Sequence, residues 1–282
     1  MKNIIGGEFT GERALFASCE LSISDARFFD GESPLKESRD ISLLCCKFEW
    51  KYPLWYCKDV EATDTHLADT ARSGIWYTDN ITMKNCIIDA PKTFRRSNGI
   101  YLTDVTLRNA QETMWNCSDI RLLDVKVKGD YFAMGSHDVY AENLEIDGNY
   151  LLDGARNVEI RNSRLISKDA FWNCENVVVY DSLIVGEYLG WNSKNVTFIN
   201  CDIESNQGMC YMQNLTLRSC RFKNTDLCFE YCTVDAEVDS YIDSVKNPTS
   251  GRIVAGEIGE IILDPDCVDV TKTEITEVKK HV

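Results

Sequence analysis

An all-β fold, a single-stranded right-handed parallel β-helix of about eleven coils, is what this chain predicts, on three observations. A short alternating segment recurs as NITMKN, DIRLLD, NVEIRN, NVVVYD and NVTFIN, with the two-residue period of a strand that buries one face. The residue closing it falls at Asp25, Cys45, Asp64, Asn85, Asp104, Asp124, Asn143, Asn162, Asp181, Asn200 and Ser219, at intervals of 19 to 21 residues. Apolar residues stand at fixed offsets from each closing residue. A fixed period of this size marks a solenoid, and it is too short for helical repeats.

The elements follow from the offsets. Four residues before each closing residue stand Leu21, Ile41, Val60, Ile81, Ile100, Ile120, Val139, Val158, Val177, Val196 and Leu215. Three residues after stand Phe28, Phe48, Leu67, Ile88, Leu107, Val127, Ile146, Leu165, Ile184, Ile203 and Phe222. A third column reads Leu35, Leu54, Ile75, Phe94, Met114, Phe132, Leu151, Phe171, Leu189, Met209 and Cys228. Three inward columns predict three short strands per coil around a roughly triangular core, with coils stacked about 4.8 Å apart. Asn and Asp tolerate left-handed backbone angles, which suits the corners. Cys46, Cys86, Cys201 and Cys220 just past the corner, and Cys57, Cys117 and Cys174 in another column, read as small core residues. Residues 1–20, with Gly6, Gly7 and Gly11, predict an irregular capping coil over an exposed sheet edge. Residues 21–234 form the regular helix, 235–270 degenerate closing coils, and the charged segment 271–282 a frayed tail.

Composition limits the function classes. The chain has 282 residues, 44% of them apolar, and 45 carboxylates against 30 Lys plus Arg give a net charge of −15. Such a charge repels phosphate backbones and anionic lipid, so neither nucleic acid nor a membrane is an expected partner. No apolar run is long enough to span a bilayer, and the opening MKNIIGGEF lacks a secretory pattern, which predicts a cytoplasmic setting. The 13 cysteines lack paired CxxC units and are expected to be reduced thiols, with no metal site and no cofactor.

One face departs from a bland exterior. Just after the third column come Trp55, Trp76, Trp115 and Trp172, with Arg95, Leu152 and Phe229 in equivalent places, and just before it Tyr131, Tyr150 and Tyr188. An outward aromatic row stacks on sugar rings or docks a second protein. Glu112, Asp130, Asp169 and Glu187 precede the same column by two residues, and Asp153 shares the face. Carboxylates on adjacent or alternate rungs would stand about 5 or 10 Å apart, bracketing the separations of retaining and inverting glycosidases. These five acids are the catalytic candidates. Arg72, Arg95 and Arg96 lie beside them, suited to bind a substrate carboxylate or pair with the acids. His66 and His137 read as surface histidines, and no phosphate loop, HExxH or GxSxG occurs.

Two function classes result. One is a carbohydrate-related protein that binds or cleaves a glycan along the Trp and carboxylate face, as a glycoside hydrolase or lyase-like enzyme. The other is a non-catalytic scaffold whose aromatic face mediates homo-oligomer formation or partner docking. A third reading uses Asp130 and Asp169 as acid and base on a small molecule.

The repeats, with GERALF (11–16), FDGESPLKES (29–38), KYPLWY (51–56) and NPTSGRI (247–253), resemble an uncharacterised bacterial family with a pectin-lyase-like β-helix. The resemblance implies the fold and a bacterial cytosolic setting over nearly the whole length. It brings no catalytic residues. The wider superfamily includes polysaccharide lyases and hydrolases, whose calcium-binding aspartates and catalytic Arg or Lys map to no position here.

Overall fold

A computed structural model describes residues 2–278 as a right-handed parallel β-solenoid that divides into two compact units, 1–147 and 148–282. In the first unit the long-face strands are Lys2–Phe9, Cys19–Phe28, Arg39–Leu44, Lys58–Thr63, Asp79–Lys84, Asn98–Thr103, Ser118–Leu123 and His137–Glu142. In the second they are Arg156–Arg161, Glu175–Tyr180, Lys194–Ile199, Gln213–Phe222, Thr233–Lys246, Ser250–Ile262 and Thr273–Glu277. This makes about fifteen turns, not eleven. The added rungs are the first strand and the last three, where the apolar spacing no longer holds.

The corner assignment has a direct physical basis. All eleven closing residues, Cys45 and Ser219 included, have φ between 49° and 55°, the left-handed region that Asn and Asp enter at least cost. Their side chains form ladders: Asn143 Nδ2 donates to Asp124 Oδ1 at 2.8 Å, and Asn200 to Asp181 at 2.6 Å. Every residue of the two apolar columns flanking the corner is buried. Where like residues meet they stack, as in Phe9–Phe28–Phe48 with ring centroids 4.9 and 4.6 Å apart.

The third side differs from the expected strand. Of the eleven third-column residues only Ile75 and Phe94 lie in strands, Ile75–Trp76 and Phe94–Arg95, and the column otherwise runs through turns and bends until Val245 of Thr233–Lys246 pairs beside Cys228. Left-handed angles recur at every second residue, as at Glu112, Met114 and Asn116 or Asp169, Phe171 and Asn173. An extended strand excludes such alternation.

The third column also shifts by one residue in three coils. Ala133 N–H donates to Thr113 O, which sets Ala133, not Phe132, level with Met114. Phe171 N–H donates to Leu151 O and Gly190 N–H to Ala170 O, which sets Leu152 and Gly190 level with Phe171. Both residues of each pair are buried, so apolarity alone does not distinguish them.

Thr273–Glu277, within the segment read as a frayed tail, pairs with Ser250–Ile262 and places Ile275 over Ile253. Residues 279–282 of that segment lie outside the described residues.

Candidate functional site

Five of the six tryptophans occupy one register position, nine residues before the following corner. Left-handed residues flank each one, such as Tyr52 and Tyr56 around Trp55 or Ser73 and Tyr77 around Trp76. The left-handed residue that opens each turn has a carbonyl within reach of the indole on the preceding rung. In the first unit Trp55 Nε1 donates to Ser73 O at 2.5 Å, Trp76 to Lys92 O at 2.7 Å, and Trp115 to Tyr131 O at 2.7 Å. In the second unit Trp172 donates to Tyr188 O at 2.8 Å and Trp191 to Gln207 O at 3.0 Å. Each indole satisfies a turn carbonyl, a structural role that needs no ligand.

Their faces are occupied as well. In the first unit Trp55 and Trp76 stack at 5.2 Å with planes 9° apart, and Tyr52 lies 4.4 Å from Trp55. The Arg95 guanidinium stands between Trp76 and Trp115, 4.7 and 4.6 Å from their ring centres. Glu112 Oε2 lies 3.0 Å from Lys92 Nζ and 3.6 Å from Arg95 Nη2. Tyr131 meets Trp115 edge-on at 6.4 Å. Asp130 is half-buried, its N–H donating to Gln111 Oε1 at 3.3 Å, while Arg72 and Arg96 are exposed.

The second unit gathers Tyr150, Asp153, Asp169, Trp172, Glu187 and Tyr188. Trp172 stacks on Trp191 at 5.8 Å, Tyr150 meets Trp172 edge-on at 6.2 Å, and Tyr188 meets Trp191 edge-on at 5.5 Å. Lys168 Nζ lies 3.2 Å from Glu187 Oε2 and 5.1 Å from the Tyr188 ring centre. Asp153 Oδ1 accepts from Asn173 Nδ2 at 3.0 Å. Asp169 differs from all of these, being only 2% exposed, with Oδ1 shut off from water and without a hydrogen-bond partner. Burial pushes its carboxyl above the usual range and the charges of Glu187 and Asp153 add to this, against the pull of Lys168 and a hydrogen bond from Tyr150.

Sequence reasoning missed Trp191, Lys92 and Lys168. Placing Leu189 rather than Gly190 in the third column hides Trp191, which follows Gly190 as Trp172 follows Phe171. Counting back nine residues from Asn200 finds it.

The buried cysteines behave as core. Burial pushes the thiols of Cys57, Cys117 and Cys174 up to about 12, and Cys57 and Cys174 donate to the carbonyls of Leu35 and Leu152. Among the described residues no group of three His, Cys, Asp or Glu side chains is placed to hold a metal ion. Among the described residues no helix is long and apolar enough to cross a membrane. A groove of 290 Å³ in the first unit involves Asp40, Asp59, Glu61 and Asn80, and one of 540 Å³ in the second involves Asp239, Tyr241, Glu257 and Glu277. Neither draws on the aromatic rows.

The model of a family described as Protein of unknown function (DUF3737) matches residues 2–276. No curated protein matches. Similar solved structures include PfbA, a surface adhesin of Streptococcus pneumoniae, at 12% identity and TM-score 0.41, over 88% of this chain and 75% of that one. The A-module of the Azotobacter vinelandii mannuronan C-5 epimerase AlgE6 is similar at 8% identity and TM-score 0.34, over 100% and 91%. QnrB1, a plasmid-mediated fluoroquinolone resistance protein, is similar at 13% identity and TM-score 0.28, over 78% and 91%.

Proposed function

Because the chain belongs to the family described as Protein of unknown function (DUF3737), membership assigns no chemistry, and we propose from the side-chain geometry that it is a non-catalytic scaffold. One observation carries this reading. The tryptophans that suggested a sugar platform spend their N–H groups on turn carbonyls and their faces on one another or on Arg95. A stacking platform presents a free ring face. The acids beside them are mostly paired: Glu112 with Lys92, and Glu187 with Lys168.

Glycan-array binding of the wild type, Trp115→Ala and Trp172→Ala tests the proposal at a temperature where all three are folded. The expected result is an unchanged glycan profile together with a lowered unfolding midpoint in both variants. A glycan bound by the wild type and lost from either folded variant overturns it.

A carbohydrate-active reading retains one specific support, a buried carboxyl biased toward its neutral form with Tyr150 and further acids nearby. A general acid needs such a bias. Polysaccharide turnover by the wild type that Asp169→Asn abolishes while the fold persists would favour this reading over the scaffold.

A further inference from the structure

We propose that Cys201 and Cys220 are a disulfide-forming pair, a modification site at which a two-electron oxidant such as oxidised glutathione closes one coil of the second unit into a covalent ring. The two cysteines hold the same position on successive rungs. Asp202 pairs with Arg221, and Arg221 N–H donates to Cys201 O at 2.9 Å, which sets Cys201 level with Cys220. Neighbouring parallel strands lie about 4.8 Å apart, inside the Cα separation of about 4.4–6.8 Å that a disulfide spans. Both side chains are buried with no exposed surface, and each thiol donates to carbonyls of its own and the preceding rung, Cys201 to Ile199 and Val179 and Cys220 to Arg218 and Phe198.

The other cysteines of this column are interrupted. Thr65 separates Cys46 from Cys86, and Cys46 N–H donates to the Thr65 hydroxyl. In the second column the next-rung neighbours of Cys117 and Cys174 are Ser136 and Ser193.

The chemistry balances as thiol–disulfide exchange. One cysteine thiolate attacks a sulfur of oxidised glutathione and releases one glutathione thiolate. The second cysteine thiolate then attacks the mixed disulfide and releases the other. The protein loses two protons and two electrons, and oxidised glutathione becomes two reduced molecules. The neighbouring Cys220 thiol and burial keep the Cys201 thiol protonated in the closed fold, so exchange proceeds while this coil is open, during folding or local unfolding. The ring would enclose Gln207, whose carbonyl holds the Trp191 indole. In a reducing compartment the pair stays open.

The test is refolding of the full chain from denaturant in a glutathione redox buffer, followed by non-reducing peptide mapping. The expected product is lighter by two hydrogen atoms, carries a Cys201–Cys220 linked peptide, and has a higher denaturant midpoint than the same protein after reduction. Cys220→Val should refold without that mass change. Should it fail to fold, mapping of the wild type decides alone. Mapping that finds Cys201 and Cys220 free after oxidation, or linked instead to Cys210, Cys228 or Cys232, overturns the assignment.

Discussion

Replacing Asp169 by Asn should stabilise this protein at neutral pH, although most substitutions at buried positions destabilise. The wild-type carboxylate leaves Oδ1 buried and unpartnered, and an unsatisfied buried polar group costs about 1–3 kcal/mol. An amide keeps the shape and can still accept from Tyr150, but carries no charge to desolvate. The amide leaves the same position unpartnered but uncharged, and because an unsatisfied charged group costs more than a neutral one, a gain of about 1 kcal/mol at pH 7 is expected. The sign of the pH dependence is fixed by the upward shift. A carboxyl whose folded value lies above its unfolded one, near 3.9, binds its proton more tightly in the fold. Its favourable contribution is complete below the unfolded value and is lost as pH rises through the folded one. The advantage of Asn should therefore vanish near pH 4 and grow toward neutrality. Denaturant unfolding of both proteins at several pH values gives the comparison, and the difference cancels every carboxylate they share. An Asn variant no more stable than the wild type at pH 7, or a difference that does not vary with pH, would refute the reasoning.

Arg95→Met keeps the aliphatic packing but removes the cation between Trp76 and Trp115; at about 0.5–2 kcal/mol per cation–π contact, it should cost about 1–3 kcal/mol in chemical denaturation. Glu112 keeps its ion pair with Lys92 at 3.0 Å in this variant, so its half-buried carboxylate is not left without a cation. Asn176→Ala breaks the exposed amide ladder, in which Asn176 donates to Asn157 at 3.0 Å and accepts from Asn195 at 3.0 Å. It also forces Ala to φ 59°, so a loss of about 1–2 kcal/mol is expected from left-handed strain, with Asn176→Gly losing measurably less.

The corner residues and two of the three apolar columns were legible because each obeys one local requirement. A left-handed corner selects Asn or Asp, and an inward strand position selects a branched or aromatic residue. The third side was legible as buried but not as turn, since apolar spacing does not distinguish a strand from a chain that alternates extended and left-handed residues. The same ambiguity displaced Phe132, Leu151 and Leu189 by one place and concealed Trp191. At the candidate site the residue types were found, but the use of their faces was not. Whether an outward Trp presents its plane or its edge depends on the residue one rung away, and Arg95 filling the space between Trp76 and Trp115 is a relation between coils.

In a ladder of this kind, repetition points to structure and an exception invites another explanation. Asn recurs at corners because the backbone requires it, and Trp recurs on the turn face because each indole closes a carbonyl on the next rung. Arg95 interrupts the tryptophan row between two rings and beside Glu112, with its Nε and Nη2 buried and without a hydrogen-bond partner. Asp169 holds the register position that Tyr150 and Tyr188 hold on the neighbouring rungs, and there too the accommodation is incomplete, because one carboxylate oxygen has no partner. A residue that folding alone would exchange for a neutral one, seated inside an otherwise well-bonded turn, is a position where a role other than stability should be sought.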